Sequence, residues 1–123
     1  YVGNLKSMRT ICDVRDAVKA YYMVCTKKPK PGSFYNIGGT YSCTVGDILK
    51  KLIQKSEINP KKIKIIIDKK RLRPIDADLQ IPDTSKFRKY TGWRPTISFD
   101  RTCQDLINYW RDELSKSNNF LNR

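Results

Sequence analysis

The sequence predicts an α/β fold built from short strands and about four helices. Two observations carry this prediction: apolar residues recur at spacings of three and four in three segments, and short β-branched or aromatic runs bounded by Gly or Pro lie between them. A capping Asp and a terminal Gly mark a fourth helix. The 123 residues are enough for one small domain with a modest core. We therefore treat residues 1–123 as one unit.

The first helix is expected to begin at Asp13 or Val14 and to end near residues 27–28. Asp16 in its first turn suits the positive end of the helix dipole. The tract Ile11 to Val14 predicts a short strand ahead of it. The apolar stripe of this helix consists of Val14, Ala17, Val18, Tyr21, Val24 and Cys25.

A break and a short β-prone run follow. Pro29, Pro31 and Gly32 end the helix, and Ser33 to Ile37 predicts a strand that terminates at Gly38-Gly39. Paired glycines after a strand can form a phosphate loop, but G-x-G-x-x-G is absent. We interpret these two glycines as a strand end and turn.

The second helix has a capping box at its start and a strand after it. Thr44 and Asp47 provide the Thr-x-x-acid pair, and the β-branched run Ile63 to Ile67 predicts a strand. The helix carries apolar and cationic residues on opposite faces, and we expect the cations to be solvated. The apolar set is Val45, Ile48, Leu49, Leu52 and Ile53, and the cationic set is Lys50, Lys51 and Lys55.

Two further helices complete the chain. Asp83 is expected to cap a helix through about Tyr90, with Gly92 in the left-handed position that ends it. The last helix begins at Phe99, and its tail after Ser115 is polar and expected to fray. Its apolar stripe is Phe99, Cys103, Leu106, Ile107, Trp110 and Leu114.

The charge balance favours anionic partners. Lys and Arg number 25 against 12 Asp and Glu, which gives a formal charge of +13, and there is no histidine. The absence of imidazole excludes Ser-His-Asp catalysis and the common zinc sites, and no catalytic or metal-binding residue is predicted. The four cysteines show no C-x-x-C spacing and lie among apolar residues, so we expect buried free thiols and a reducing cytoplasm. No apolar run is long enough to span a bilayer, and no signal peptide is recognised at the start.

The strongest candidate site lies around Arg73. Because it precedes Pro74, its backbone is extended, and its guanidinium offers a rigid fork of donors that matches phosphate oxygens. Asp76 can accept hydrogen bonds from sugar hydroxyls, so a diphosphate flanked by a ribose would satisfy both residues. The alternative is that Arg71 and Arg73 are solvated cations and Asp76 is a turn residue.

Four short motifs in this half of the chain resemble a known family. They are similar to the C-terminal signature of the NAD-dependent epimerase/dehydratases of the extended short-chain dehydrogenase/reductase family, especially the GDP-mannose 4,6-dehydratases and GDP-6-deoxy-mannose reductases. The four motifs are Arg73-Pro74-Ile75-Asp76, Asp83-Thr84-Ser85-Lys86, Thr91-Gly92-Trp93-Arg94-Pro95 and Tyr109-Trp110-Arg111.

The N-terminal part resembles the same family through Gly3-Asn4-Leu5, Arg9 and residues 13–16. It departs at Thr10-Ile11, where relatives have Asp and an aromatic, so a surface position for Arg9 stays open. The resemblance implies the following substrate-binding residues: Asn4 and Leu5 near the guanine, Arg9 near the phosphates, Arg73 on the diphosphate and Asp76 on a ribose. It also makes residues 34–37 a packing element at the border of the dinucleotide-binding sheet.

The resemblance further implies a longer enzyme than this chain. The family's glycine-rich turn and Tyr-x-x-x-Lys pair are absent: Tyr22, Tyr35 and Tyr90 are followed four residues later by Thr, Gly and Arg. We therefore expect the substrate-binding C-terminal portion of a cytoplasmic GDP-sugar dehydratase, without the N-terminal Rossmann part. Such a fragment would not bind NAD or NADP or turn over substrate by itself, and part of its apolar surface should be exposed or covered by other chains. The complete enzyme is expected to be a homo-oligomer.

Two alternatives remain open at this point. A GDP-6-deoxy-mannose reductase or another epimerase of the family would share these motifs, although we prefer the dehydratase. A small basic nucleic-acid-binding module would explain the charge and the seven tyrosines, but no known nucleic-acid-binding motif is found. Binding of single-stranded DNA across a salt series separates the enzyme from that module.

Overall fold

The α/β prediction with four helices is confirmed by a computed structural model, which describes residues 1–73 and 77–121, with side chains up to residue 116. Within that part of the chain three strands and four α-helices alternate with two single-turn 3-10 helices, Pro60–Lys62 and Lys69–Arg71. The elements are β1 (Met8–Ile11), α1 (Val14–Thr26), β2 (Tyr41–Thr44), α2 (Val45–Ser56), β3 (Leu79–Gln80), α3 (Ser85–Thr91) and α4 (Phe99–Leu121).

The strands form one sheet with β1 in the centre. The order is β2-β1-β3, with β2 antiparallel and β3 parallel to β1. Arg9 lies opposite Cys43 on one side and Gln80 on the other. The register therefore places Arg9 in the middle of the sheet.

The strand predictions were largely wrong. The tract 11–14 contains only the last residue of β1, because Asp13 already caps α1. The tract 33–37 has no ladder, and 63–67 makes one parallel bridge, between Val2 and Ile67. β-branched residues favour a strand only where a partner edge is within reach, and for both tracts the described chain offers almost none.

The helix signals were more reliable. The capping box between Thr44 and Asp47 is present in both directions, and Gly92 has the expected left-handed conformation at φ 73°. Asp83 does not cap α3, because Thr84 takes the N-cap position. The Asp83 carboxylate instead accepts a hydrogen bond from the Ser85 amide at 2.8 Å.

Helix α1 is rotated from its predicted orientation, so that most of the predicted stripe is exposed, although Val24 still packs against the core. Val14, Val18 and Tyr21 are exposed, whereas Asp16 and Ala20 are fully buried. The reason is a polar anchor: the Asp16 carboxylate accepts hydrogen bonds from the chain near Ile97, and this network turns the Asp16 side of the helix inward. Asp16 therefore does more than complement the helix dipole.

The core lies between α1 and α3. Phe87 and Trp93 pack with ring centroids 5.6 Å apart, and Tyr35 meets Phe87 edge-on at 5.8 Å. Ala20 completes the buried cluster and Ile37 packs against it. The expected packing role of residues 34–37 is confirmed for Tyr35 and Ile37, while Phe34 in the same tract is exposed.

Helix α4 packs on α2 and leaves much of its apolar stripe exposed. Cys103 is buried, but Leu106, Trp110 and Leu114 are exposed. With the exposed stripe of α1, this confirms the expectation that apolar surface is left uncovered. The prediction of solvated lysines on α2 was wrong for Lys51 and Lys55, because both pair with Asp100 at the start of α4.

All four cysteines are free. Cys43 and Cys103 are buried, Cys12 is partly buried and Cys25 is exposed, so the burial prediction was wrong for Cys25. Burial raises the pKa of the Cys43 and Cys103 thiols, which keeps both protonated. In the part of the chain that the structure describes, no helix is long and apolar enough to cross a membrane.

Candidate anion-binding site

Two segments that are far apart in the sequence, around Val2 and around residues 66–68, run side by side next to the site. The Val2 amide donates to the Ile66 carbonyl at 2.9 Å, and the Asp68 amide donates to the Val2 carbonyl at 2.9 Å. Gly3 continues this approach so closely that a Cβ there would lie 2.8 Å from the Arg71 carbonyl oxygen. The absence of a side chain at Gly3 thus allows the N-terminal segment to lie against Arg71.

The loop between this segment and β1 is held by its own polar side chains. Asn4 Nδ2 donates to Ser7 Oγ at 2.7 Å, and Asn4 Oδ1 accepts from the Lys6 amide at 2.9 Å. Ser7 is 1% exposed. Because Met8 and Arg9 follow directly, this loop fixes the point at which the central strand begins.

The guanidinium of Arg9 is positioned by backbone carbonyls. Its Nη1 donates to the Met8 carbonyl at 2.8 Å and to the Ala77 carbonyl at 2.7 Å. Arg9 therefore lies on a rigid strand and is also tied to the segment that carries Ala77. A guanidinium held in this way meets an anion in a defined orientation.

These segments enclose a cleft of about 310 Å³. Three guanidinium groups line it, and Arg71 is paired only loosely, with Nε 3.7 Å from the Asp68 carboxylate. No carboxylate lines the cleft within residues 1–73 and 77–121, so its described surface favours an anion. Among the described residues, the lining is Asn4, Ser7, Arg9, Val45, Arg71, Arg73, Ala77 and Gln80.

The cleft brings together three of the five site residues predicted from the sequence, namely Asn4, Arg9 and Arg73. Leu5 lies elsewhere and lines a separate apolar hollow. Asp76 falls outside the described residues, as does Pro74.

Five described lining residues were not among the predicted binding residues, and two of them, Arg71 and Gln80, have long polar side chains. Arg71 had a visible signal, since it stands two positions before Arg73, and the 3-10 turn at Lys69–Arg71 places it at the cleft. Gln80 had no signal in the sequence, because only its pairing opposite Arg9 in the sheet brings it to the cleft.

The described side chains of the cleft suit binding of an anion. Guanidinium groups remain protonated throughout the physiological pH range, so they donate hydrogen bonds but do not exchange protons. Forked N–H groups converging from two segments suit a planar or tetrahedral oxyanion such as a phosphate.

Solved structures share the fold of this chain. The chain superimposes on RMD from Pseudomonas aeruginosa complexed with NADPH with a TM-score of 0.78 at 19% identity, covering 91% of this chain and 35% of that one. It matches the UDP-glucose 4-epimerase of Thermotoga maritima, solved with UDP-glucose, with a TM-score of 0.75 at 22% identity, covering 93% and 35%. The fold is that of part of an extended short-chain dehydrogenase/reductase.

Sequence comparison narrows the class to one family. Residues 1–106 match the family described as GDP-mannose 4,6 dehydratase, and the chain belongs to it. The human dTDP-D-glucose 4,6-dehydratase is 30% identical over 112 residues, which are 89% of this chain and 31% of that protein. The dTDP-glucose 4,6-dehydratase of Haemophilus influenzae is 30% identical over 122 residues, covering 94% and 36%. The chain thus spans about a third of the length of these relatives.

Proposed function

We propose that residues 1–123 are the nucleotide-sugar-binding C-terminal portion of an NAD(P)-dependent GDP-mannose 4,6-dehydratase, which converts GDP-mannose to GDP-4-keto-6-deoxy-mannose. One observation supports this proposal most directly: Arg9 and Arg73 line the same cleft in a chain of this family. The sequence predicts that these two residues bind one diphosphate.

The proposal gives binding roles to four residues of the cleft, Asn4, Arg9, Arg71 and Arg73, and to Asp76. Arg9 and Arg73 would donate to the two phosphates from opposite sides, and Arg71 would add a third cation to the same anion. Asn4 is proposed to lie near the nucleoside, and Asp76 is proposed to accept hydrogen bonds from the ribose. Held in this way, the nucleotide fixes the hexose in one position, which lowers the entropy cost of the reaction.

The cofactor is assigned to no residue of this chain. In the complete enzyme NAD or NADP would supply the hydride transfer that oxidises the hexose at C4 and later reduces the dehydrated sugar. The only paired glycines here do not form a cradle: a Cβ at Gly39 would lie 1.6 Å from the Ile11 carbonyl oxygen, and one at Gly38 would lie 2.6 Å from Pro82. Both glycines are occupied in packing.

The comparisons differ in the nucleotide base that they name. The family match favours GDP, while the curated relatives at 30% identity are named as dTDP-glucose dehydratases. A GDP-6-deoxy-mannose reductase would use the same cleft for the same diphosphate.

Calorimetric titration of the full-length protein tests the assignment. We expect GDP-mannose and GDP to bind at least about 10-fold more tightly than GMP, which lacks the second phosphate, and more tightly than dTDP-glucose. Tighter binding of dTDP-glucose would overturn the choice of base. Equal affinity for GMP and GDP would overturn the diphosphate site.

Three of the seven tyrosines give the nucleic-acid alternative no support. Tyr35 and Tyr90 stack on each other with ring centroids 5.5 Å apart, and Tyr41 stacks on Phe99 at 4.8 Å. Each of these three rings already has an aromatic partner within the chain, which leaves it less available for stacking on a base. The family match, and not the tyrosines, is what disfavours this alternative. A cytoplasmic location and a homo-oligomeric state remain predictions from the sequence.

A further inference from the structure

We propose that Lys69 and Lys70, beside the arginine cleft, raise the rate at which the anionic nucleotide sugar reaches it, and that they do so without touching the bound ligand. This inference rests on the proposed function. The two lysines belong to a basic segment, residues 61–73, which contains seven cations and one acid. A short stretch of the chain thus supplies nearly half of its formal net charge of +13.

The fold holds the two lysines at the edge of the cleft. Their 3-10 turn, which also contains Arg71, follows Asp68, and the Asp68 carboxylate accepts a hydrogen bond from the Lys70 amide at 2.9 Å. The Asp68 amide in turn donates to the Val2 carbonyl at 2.9 Å, which ties the turn to the N-terminal segment. Arg71 lines the cleft. Because consecutive Cα atoms are about 3.8 Å apart, the Cα atoms of Lys69 and Lys70 lie within about 8 Å of that of Arg71.

The charges of the two lysines are not cancelled by nearby carboxylates. Lys69 and Lys70 are exposed, and neither forms an ion pair in the part of the chain that the structure describes. The only acid of the basic segment, Asp68, lies 3.7 Å from Arg71 Nε instead. Two lysines of α2, by contrast, both pair with Asp100. The positive potential at the edge of the cleft therefore extends into the solvent, where it attracts anions.

The position of the lysines indicates an effect on the rate of association. Neither is among the residues that line the cleft, so both act on the ligand from a distance. Two unit charges about 10 Å apart in water attract each other with less than the thermal energy, so each contribution is small. The Debye length is about 10 Å at 0.1 M salt and about 3 Å at 1 M, so high salt should remove the effect. Charges at the rim of a site typically change the association rate and its salt dependence.

Stopped-flow measurements on the full-length protein test this role, with GDP carrying a fluorophore on its β-phosphate as the probe. In Lys69→Gln/Lys70→Gln we expect the association rate constant to fall about 2- to 4-fold at about 0.1 M salt and to equal the wild-type value at about 1 M. The dissociation rate constant should be unchanged at both salt concentrations. The matched control is Lys27→Gln/Lys30→Gln, which loses the same charge at exposed positions after α1, where no residue lines the cleft. Both of its rate constants should equal those of the wild type.

Three results would overturn the inference. The first is a wild-type association rate in Lys69→Gln/Lys70→Gln at 0.1 M salt, and the second is an equal fall in the control, which would reflect net charge alone. The third is faster dissociation, because the lysines would then contact the bound ligand. Charge reversal provides a further check: Lys69→Glu/Lys70→Glu should slow association about 5- to 15-fold at 0.1 M salt. A fall no larger than that of the glutamine variant would contradict a long-range electrostatic effect.

Failure of the proposed function gives a different result. If Arg73→Ala binds the probe with wild-type affinity, the diphosphate site is wrong, and attraction of the nucleotide sugar toward it is wrong as well. If Arg73→Ala loses affinity while Lys69→Gln/Lys70→Gln associates at the wild-type rate, the diphosphate site is supported and only the role of the two lysines is wrong.

Discussion

Arg9 Nη1 donates a hydrogen bond of 2.7 Å to the carbonyl oxygen of Ala77, although 68 positions separate the two residues. This bond joins the central strand to the segment that follows Arg73. Folding by itself therefore brings two cations to one cleft before any ligand arrives. Such preorganisation removes part of the entropy cost of binding.

Replacing Arg9 by Lys should weaken GDP-mannose binding by about 3- to 10-fold even though the charge is kept. A lysine has no planar fork, so it cannot contact the Met8 and Ala77 carbonyls and present paired donors to a phosphate at the same time. Calorimetry gives the affinity, and Arg88→Lys on the exposed face of α3 serves as control. Equal affinities for wild type and Arg9→Lys would mean that only charge matters at this position.

Asp16→Asn should lower the free energy of unfolding by about 1–3 kcal/mol. The buried carboxylate accepts from the Thr96 amide and the Ile97 amide at 2.8 Å each and from Thr96 Oγ1 at 2.9 Å. In the asparagine variant, one carboxylate oxygen is replaced by an NH2 group, which cannot accept the hydrogen bonds that the Thr96 and Ile97 groups donate. Urea denaturation measures the change, and the exposed Asp112→Asn should leave stability within about 0.5 kcal/mol of wild type. If Asp16→Asn and Asp112→Asn have the same free energy of unfolding, Asp16 does not anchor the helix.

Stability should fall as the pH drops below about 4. Burial is the largest influence on Asp16 and raises its pKa, but the hydrogen bonds from Ile97 and Thr96 together outweigh it and leave the pKa lowered. Hydrogen bonds from Arg15 lower the pKa of Asp13 strongly. In the unfolded chain both carboxyl groups have a pKa near 3.9. Between the folded and the unfolded pKa of each group, the unfolded chain binds more protons than the folded one, so stability rises with pH there.

Urea midpoints measured from pH 7 to pH 2 test this linkage. With no histidine in the chain, we expect a nearly level profile from about pH 5 to 7 and a steep loss below about pH 4. Asp16→Asn should lose less stability across the acid range than the wild type does. A midpoint that stays constant down to pH 2.5 would contradict the assignment.

Gly39→Ala should be among the most destabilising single substitutions. A Cβ there would lie 1.6 Å from the Ile11 carbonyl oxygen and 3.2 Å from the Cys12 Cα, both of which are backbone atoms. The end of β1 would have to move, so we expect a loss of more than about 3 kcal/mol, at the upper end of overpacking effects. Gly32→Ala, strained by its φ of 74° but facing open space, should cost only about 1–2 kcal/mol. Equal losses in thermal unfolding would show that packing at Gly39 is not special.

Signals from neighbouring residues predicted the helices well. Contacts between residues far apart in the chain could not be predicted from the sequence. The capping box at Thr44 and the left-handed Gly92 depend on a few neighbouring residues. By contrast, β3 has two residues and exists only because β1 is beside it. The inward side of α1 is set by hydrogen bonds from Thr96, 80 positions away, and no periodicity within the helix contains that information.

The residues of the candidate site also fall into those that the sequence predicted and those that only the fold revealed. Arg73 could be found because Pro74 and the following motif mark it in the sequence. Its approach to Arg9 required the fold, and so did the position of Gln80. Leu5, singled out by resemblance, instead lines the apolar hollow together with apolar residues of α2.

The affinity of Arg73→Ala for GDP-mannose, measured by calorimetry in the full-length protein beside Arg88→Ala, tests the central claim most directly. Loss of a charged hydrogen-bond donor to phosphate should cost about 1.5–3 kcal/mol, a weakening of roughly 10- to 150-fold. Arg88→Ala, which removes an exposed cation outside the cleft, should bind as the wild type does. Wild-type affinity in Arg73→Ala, or equal losses in both variants, would contradict a diphosphate held between Arg9 and Arg73.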